Sequence, residues 1–244
     1  MLSLFKKQPK LKELIPHDYT DIHSHVLFGI DDGAKTSADS RFLMESMKAM
    51  GFSKIITTPH THFNLWPNSS TTIAETRRKV QAAFPDLCTQ MQLQAASEYY
   101  MDEHFVQLLQ SEALLVLKDN YILVEMSYLN APLQLFDIIF ELQLKGYTPI
   151  LAHPERYTFY HNSLKAYEAL KKAGCLFQMN LLSSVGYYGT AVANTADTLL
   201  QMDMMDFVGS DIHHAKHIAA FDNKVILKNR KTLEKVIEVN QFFK

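Results

Sequence analysis

The sequence has only two cysteines, Cys88 and Cys175, far apart in a chain of 244 residues. This spacing provides neither a disulfide framework nor a paired-cysteine zinc site, so a reducing cytoplasm is the expected setting. No stretch approaches the ~20 apolar residues of a membrane helix. Met1–Pro16 contains no apolar run of the kind a secretory signal needs. Positive charge is not in excess either: 24 Lys and Arg against 26 Asp and Glu leave a net charge of -2. Nucleic-acid binders usually carry a basic footprint, which disfavours a nuclease. The eight glycines form no phosphate-cradling loop, and no Pro/Gly/Ser-rich linker divides the chain.

What remains is an alternation of short β-type runs with longer amphipathic ones. Strands are predicted at Tyr19–His25, Lys54–Thr58, Met91–Ser97, Tyr121–Glu125, Thr148–Ala152, Cys175–Met179 and Asp206–Ser210. Helices are predicted over Ser37–Met50, Thr72–Phe84, Asp102–Gln110, Leu133–Lys145, Leu164–Ala173, Ala191–Gln201 and Lys228–Phe242. Seven βα repeats imply one α/β domain with parallel strands, over residues 19–244. A basic arm over residues 1–18, with Lys6, Lys7, Lys10 and Lys12, precedes it.

Histidine is plentiful, with eleven in the chain. His23 and His25 project from one face of a strand, a geometry that can hold one divalent ion. Asp32, His60, Glu98, Glu125, His153, Asp211 and His213 each follow a short apolar run. An open doubly wound sheet gathers function at one switch point, whereas a barrel draws residues from the C-terminal ends of many strands. Six of the seven strands carry a candidate, so the expected fold is a distorted seven-stranded (β/α)7 TIM-like barrel. Carboxylates converging in its mouth would repel one another unless cations neutralise them, which points to a multinuclear metal site.

The segments Asp21–His25, Gly29–Thr36, Thr58–His60, Ser97–Glu98, Val124–Glu125, His153-Pro154-Glu155-Arg156-Tyr157 and Gly209–His213 carry a family resemblance. In this order they resemble the PHP (polymerase and histidinol phosphatase) superfamily, and within it the bacterial protein-tyrosine phosphatases of capsule and exopolysaccharide loci. The Gly-Ile-Asp-Asp-Gly and His-Pro-Glu-Arg elements are the specific ones. The resemblance implies the PHP fold and two or three divalent ions, manganese favoured, iron or zinc being alternatives. It implies a first position held by His23, His25, Glu98 and Asp211, a second by Glu98, Glu125 and His153, and a third by Asp32, His60 and His213.

It further implies hydrolysis of phosphotyrosine on a protein, the tail of a bacterial tyrosine kinase controlling polysaccharide export. A metal-bridging hydroxide would attack phosphorus in line. The implied catalytic residues are Glu98, Asp211 and Arg156, the last also clamping phosphate by its planar guanidinium. Relatives commonly carry another arginine after the Ser-Asp-x-His element; here the chain reads His214-Ala215-Lys216-His217-Ile218. Lys216 or His217 is therefore expected to supply that charge at the substrate. Phe63, Trp66, Tyr99, Tyr100, Tyr128, Tyr157, Tyr187 and Tyr188 fall in or near the mouth loops, where an aromatic ring could pack on a phenol. A small phosphoester such as histidinol phosphate would suit the same metals, and a non-catalytic metal-binding module is a third reading. A homo-oligomer is open.

Overall fold

The computed structural model describes residues 8–244. Its strands are β1 Tyr19–Asp21, β2 Phe52–Thr57, β3 His60–Thr61, β4 Gln94–Ala95, β5 Glu98–Tyr100, β6 Tyr121–Glu125, β7 Thr148–Ala152, β8 Leu176–Asn180 and β9 Phe207–Gly209. The helices are α1 Ser37–Ala49, α2 Ser70–Ala83, α3 Pro85–Gln90, α4 Glu103–Ser111, α5 Leu135–Leu144, α6 Leu164–Lys172, α7 Thr190–Gln201, α8 Ala215–Ala220 and α9 Arg230–Val239. Strands pair in parallel as β1-β2-β4 and as β3-β5-β6-β7-β8-β9.

The two sheets are one wall broken twice. Pro59 has no N–H to give to a ladder and separates β2 from β3. Its carbonyl accepts instead from Glu98 N at 3.2 Å and Ser97 Oγ at 3.0 Å. Ala96 and Ser97 likewise divide β4 from β5. Joining the halves gives seven strands. The first and last meet beyond β1 and β9: Ser24 bridges Ile212 in parallel, and Asp211 N donates to His23 O at 2.7 Å. The fold is the expected distorted seven-stranded barrel.

Strand alternation divides the core. Ile22, Ile56, Ala96, Leu123, Ile150, Ala152 and Phe207 fill the barrel interior, and Phe243 from the C-terminal turn joins them. Ile122, Val124 and Leu151 face outward to the helices. Glu125 is two residues beyond Leu123, so the same period aims it inward at the top of the barrel. Of the expected arm, residues 1–7 lie outside the described residues. Leu11 and Ile15 enter the core, and Lys10 and Lys12 each lie 2.8 Å from Asp222 Oδ1.

Candidate active site

Each strand end delivers its side chain to one place. His23 and His25 follow β1, His60 opens β3, Glu98 opens β5, Glu125 closes β6, His153 follows β7, and Asp211 and His213 follow β9. Asp32 comes from the loop before α1, a helix fixed by a capping box between Thr36 and Asp39. His153 and Asp211 adopt left-handed backbone, with φ of 37° and 49°. Non-glycine residues there cost of order 1 kcal/mol or more, a strain that concentrates at functional sites.

Four groups of side chains converge. His25, Asp32, His60 and His213 form one; His23, Glu98 and His153 a second; His23, His25 and Asp211 a third; His60, Glu98 and Glu125 a fourth. Glu98 Oε2 lies 3.2 Å from His23 Nε2, 3.1 Å from His60 Nδ1 and 3.5 Å from His25 Nε2. His60 Nδ1 is 2.8 Å from Glu125 Oε1, while its Nε2 is 3.4 Å from Asp32 Oδ1. His153 Nε2 faces Glu98 Oε1 at 3.1 Å. Asp32, His60 and His213 come together as expected, with His25 beside them, while Glu125 faces His60 rather than His153. The bend at Pro59 turns His60 inward between Asp32 and the two glutamates.

Apart from Asp21, which shares the strand face of His23 and His25, the residues that aim these ligands carry no signal in the sequence. Gln178 Oε1 lies 2.7 Å from His23 Nδ1, and Asp31 Oδ2 lies 2.8 Å from His25 Nδ1. The Asp211 carbonyl lies 2.9 Å from His213 Nδ1. An Nδ1–H donating to each leaves Nε2 free to bind a cation, the usual way a protein fixes a ligating imidazole. Asn180 Nδ2 donates to Asp211 Oδ2 at 2.7 Å, keeping Oδ1 toward the histidines. Asp21 accepts from Ser210 N and Oγ, both at 2.8 Å, and so anchors the turn that carries Asp211. Gln178 and Asn180 sit on β8, the one strand to which the sequence assigned no ligand. An amide in a polar-ended strand gives no periodic or charge signal.

The cluster fits a cation. Glu98 Oε2 is buried and makes no hydrogen bond, although three imidazole nitrogens surround it. Burial alone would lower the histidine pKa values, yet the facing Glu98 and Asp211 raise that of His23, and Glu125 and Glu98 raise that of His60. Burial and the neighbouring Glu98 raise that of Glu125. So many buried carboxylates call for positive charge.

Beside the cluster, Arg156 Nη1 donates to Asp211 Oδ2 at 2.7 Å. Its guanidinium lies 4.8 Å from the Tyr128 ring centre and 4.1 Å from that of Tyr188, a cation–π sandwich that fixes its plane. The mouth is a cavity of about 470 Å³ with Trp66, Tyr100, Tyr128, Leu129 and Tyr188 on its walls. Other aromatics lie elsewhere: Tyr99 and Tyr157 are buried in the core, Phe63 stacks on His104, and Tyr187 packs on His217.

The two expected substitutes for an arginine fare poorly. Lys216 is exposed on α8 and does not line the cavity. His217 does line it, but burial pushes its pKa down to about 3, so it carries no charge near neutral pH. His214, overlooked in the sequence, also reaches the lining. Cys88 and Cys175 are buried, and burial raises the Cys175 thiol to about 12, so neither supplies a thiolate.

A family model described as "Capsular polysaccharide synthesis, CpsB/CapC" matches residues 19–237. The chain belongs to this family. The CpsB/CapC match spans the whole barrel and every side chain of the cluster. The chain is 29% identical over 197 residues to the tyrosine-protein phosphatase YwqE of Bacillus subtilis (strain 168), covering 80% of this chain and 78% of that protein. It is 27% identical over 200 residues to the tyrosine-protein phosphatase CpsB of Streptococcus pneumoniae, covering 80% and 82%. A solved structure from work on YwqE and CpsB, described as unique metal-dependent tyrosine phosphatases, superposes with a TM-score of 0.79. That superposition has 26% identity and covers 92% of this chain and 93% of that one. Within this CpsB/CapC chain, the convergent imidazoles and carboxylates form groups that could hold a metal ion.

Proposed function

We propose that this CpsB/CapC protein is a metal-dependent phosphatase that hydrolyses phosphotyrosine on proteins. The observation that carries the reading is the position of Arg156, locked between two tyrosine rings and touching Asp211 at the edge of the cluster. His23, His25, Asp32, His60, Glu98, Glu125, His153, Asp211 and His213 would hold two or three divalent cations, with manganese favoured over iron or zinc. Bound there, such cations supply Lewis acidity, neutralising phosphoryl charge and making water nucleophilic near neutral pH.

The chain's own side chains do the rest. Arg156 offers N–H groups in a fixed plane to two phosphoryl oxygens, and Tyr128 and Tyr188 hold that plane. Trp66 and Tyr100 wall the cavity where the phenol ring would lie. The leaving phenol has a pKa of about 10 and needs little assistance. Hydrolysis releases tyrosine and inorganic phosphate without a covalent enzyme intermediate. Among the described residues no helix is long and apolar enough to cross a membrane. The substrate we favour is the tail of a bacterial tyrosine kinase acting in capsule or exopolysaccharide synthesis, met in the cytoplasm.

The decisive experiment measures phosphate release from phosphotyrosine peptide, phosphoserine peptide and histidinol phosphate, with manganese, iron and zinc compared. Efficient release from phosphotyrosine alone is the expected result. Preference for histidinol phosphate would move the assignment to small phosphoesters, and no hydrolysis of any would leave a metal-binding module.

A further inference from the structure

A helix on the outside of a barrel normally buries one face and presents polar residues on the other. α5 buries Leu135, Ile138, Ile139 and Leu142 against the barrel, but its outer face is apolar as well. Leu133, in the turn leading into it, is fully exposed; Phe136, Phe140 and Leu144 are 50%, 59% and 65% exposed. Spacings of four residues set Phe136, Phe140 and Leu144 along one stripe of the helix, about 12 Å long at 1.5 Å per residue, and Leu133 extends it from the preceding turn. Taking about 200 Å² for a large side chain, the stripe shows roughly 550 Å² of apolar surface. That is near the top of the roughly 300–600 Å² of the largest apolar patch on an ordinary monomer, a patch that is often functional. With the exposed Gln134, Asp137 and Gln143 beside it, the face approaches the ~800 Å² that each partner gives to a stable interface.

The order of residues along the stripe selects the occupant. It reads leucine, phenylalanine, phenylalanine, leucine, nearly the same in both directions. From this we infer that α5 is a self-association face, on which α5 of a second copy of the chain packs antiparallel across a two-fold axis. Reversal about a point near Ile138 sets Phe136 of one copy against Phe140 of the other, and Leu133 against Leu144. Such a self-matching patch is what an isologous dimer requires, and it closes without leading to a filament. Antiparallel packing also places each helix N-terminus beside the C-terminus of its mate, where the dipoles attract. The face lies outside the cluster and cavity, so the inference does not depend on the proposed activity.

The test is the mass of the full chain by light scattering or sedimentation at about 50 µM, well above the micromolar end of affinities for interfaces of this size. Twice the monomer mass is expected. Phe136→Glu and Phe140→Glu should each give a monomer with an unchanged circular dichroism spectrum, since both side chains already face solvent, and a melting temperature that no longer rises with protein concentration. Orientation is read by oxidative cross-linking, because the native cysteines are buried. A mixture of Phe136→Cys and Phe140→Cys chains should form the mixed disulfide in preference to either self-disulfide. A monomeric wild-type chain overturns the inference, as does a dimer indifferent to both glutamates. Preferential Phe136→Cys self-cross-linking overturns the antiparallel arrangement.

Discussion

At the scale of single residues, Arg156 illustrates how packing turns a common side chain into a specific one. A free arginine samples many rotamers, but two ring faces and one carboxylate leave this guanidinium a single plane. Lysine keeps the charge and loses both the fork and the stacking. Arg156→Lys should therefore lower kcat/KM on phosphotyrosine peptide by about 10²–10³-fold, close to the loss for removing one transition-state donor. Steady-state kinetics with metal content held equal would check it, and a loss below tenfold would remove Arg156 from the phosphate site. Gln178 acts one step further out. Without its contact to His23 Nδ1, the ring can turn and present the wrong nitrogen. Gln178→Ala should weaken metal affinity or activity by about 10–100-fold, as loss of such supporting contacts typically does. Titration of bound metal separates this from a folding defect, since the latter would lower the melting temperature at saturating metal.

Elements show where the sequence could be read and where it could not. β6 and β7 match their predicted bounds, Tyr121–Glu125 and Thr148–Ala152, because continuous apolar runs fully buried in a parallel sheet carry a strong signal. α3 and α8 were missed: at six residues each they are too short for helical periodicity to register. The ligand candidates were legible because charge at the end of an apolar strand stands out. Their grouping was only partly so: Asp32, His60 and His213 do meet, but Glu125 lies against His60, which opens β3 directly after the break at Pro59. The N-terminal turn offers a pH test at this scale. Asp222 accepts from Lys10 and Lys12, and these hydrogen bonds lower its pKa from 3.8 to about 2. A depressed carboxyl stabilises the fold above its unfolded value and stops doing so as pH falls through the folded one. The destabilisation caused by Asp222→Asn should thus be constant above about pH 5 and vanish toward pH 2. Because the pair is exposed, it should also be small and shrink with salt. Urea unfolding across that range would show it, and a mutant effect that grows on acidification would contradict it.

For the whole molecule, the cluster is where all seven strands are tied together, so its charge balance is a property of the fold. Phe243 and the apolar strand residues fill the lower barrel without polar demand, whereas the upper end crowds Glu98, Glu125, Asp211 and four imidazoles into buried space, with His213 half-buried beside them. Cations that bind only the folded arrangement must stabilise it by mass action. One site filled at a hundredfold excess over its Kd contributes about 2.7 kcal/mol, which in a chain of this size raises the melting temperature by roughly 5–10 °C. Several coupled sites should exceed that. Melting curves in EDTA and at rising manganese concentration should accordingly separate, with Tm climbing with the logarithm of metal concentration. Glu98→Ala should flatten that dependence, because every group it joins would lose a ligand. Overlapping curves with and without metal would mean that the carboxylates are neutralised by protons on the histidines alone, and the proposed chemistry would lose its basis.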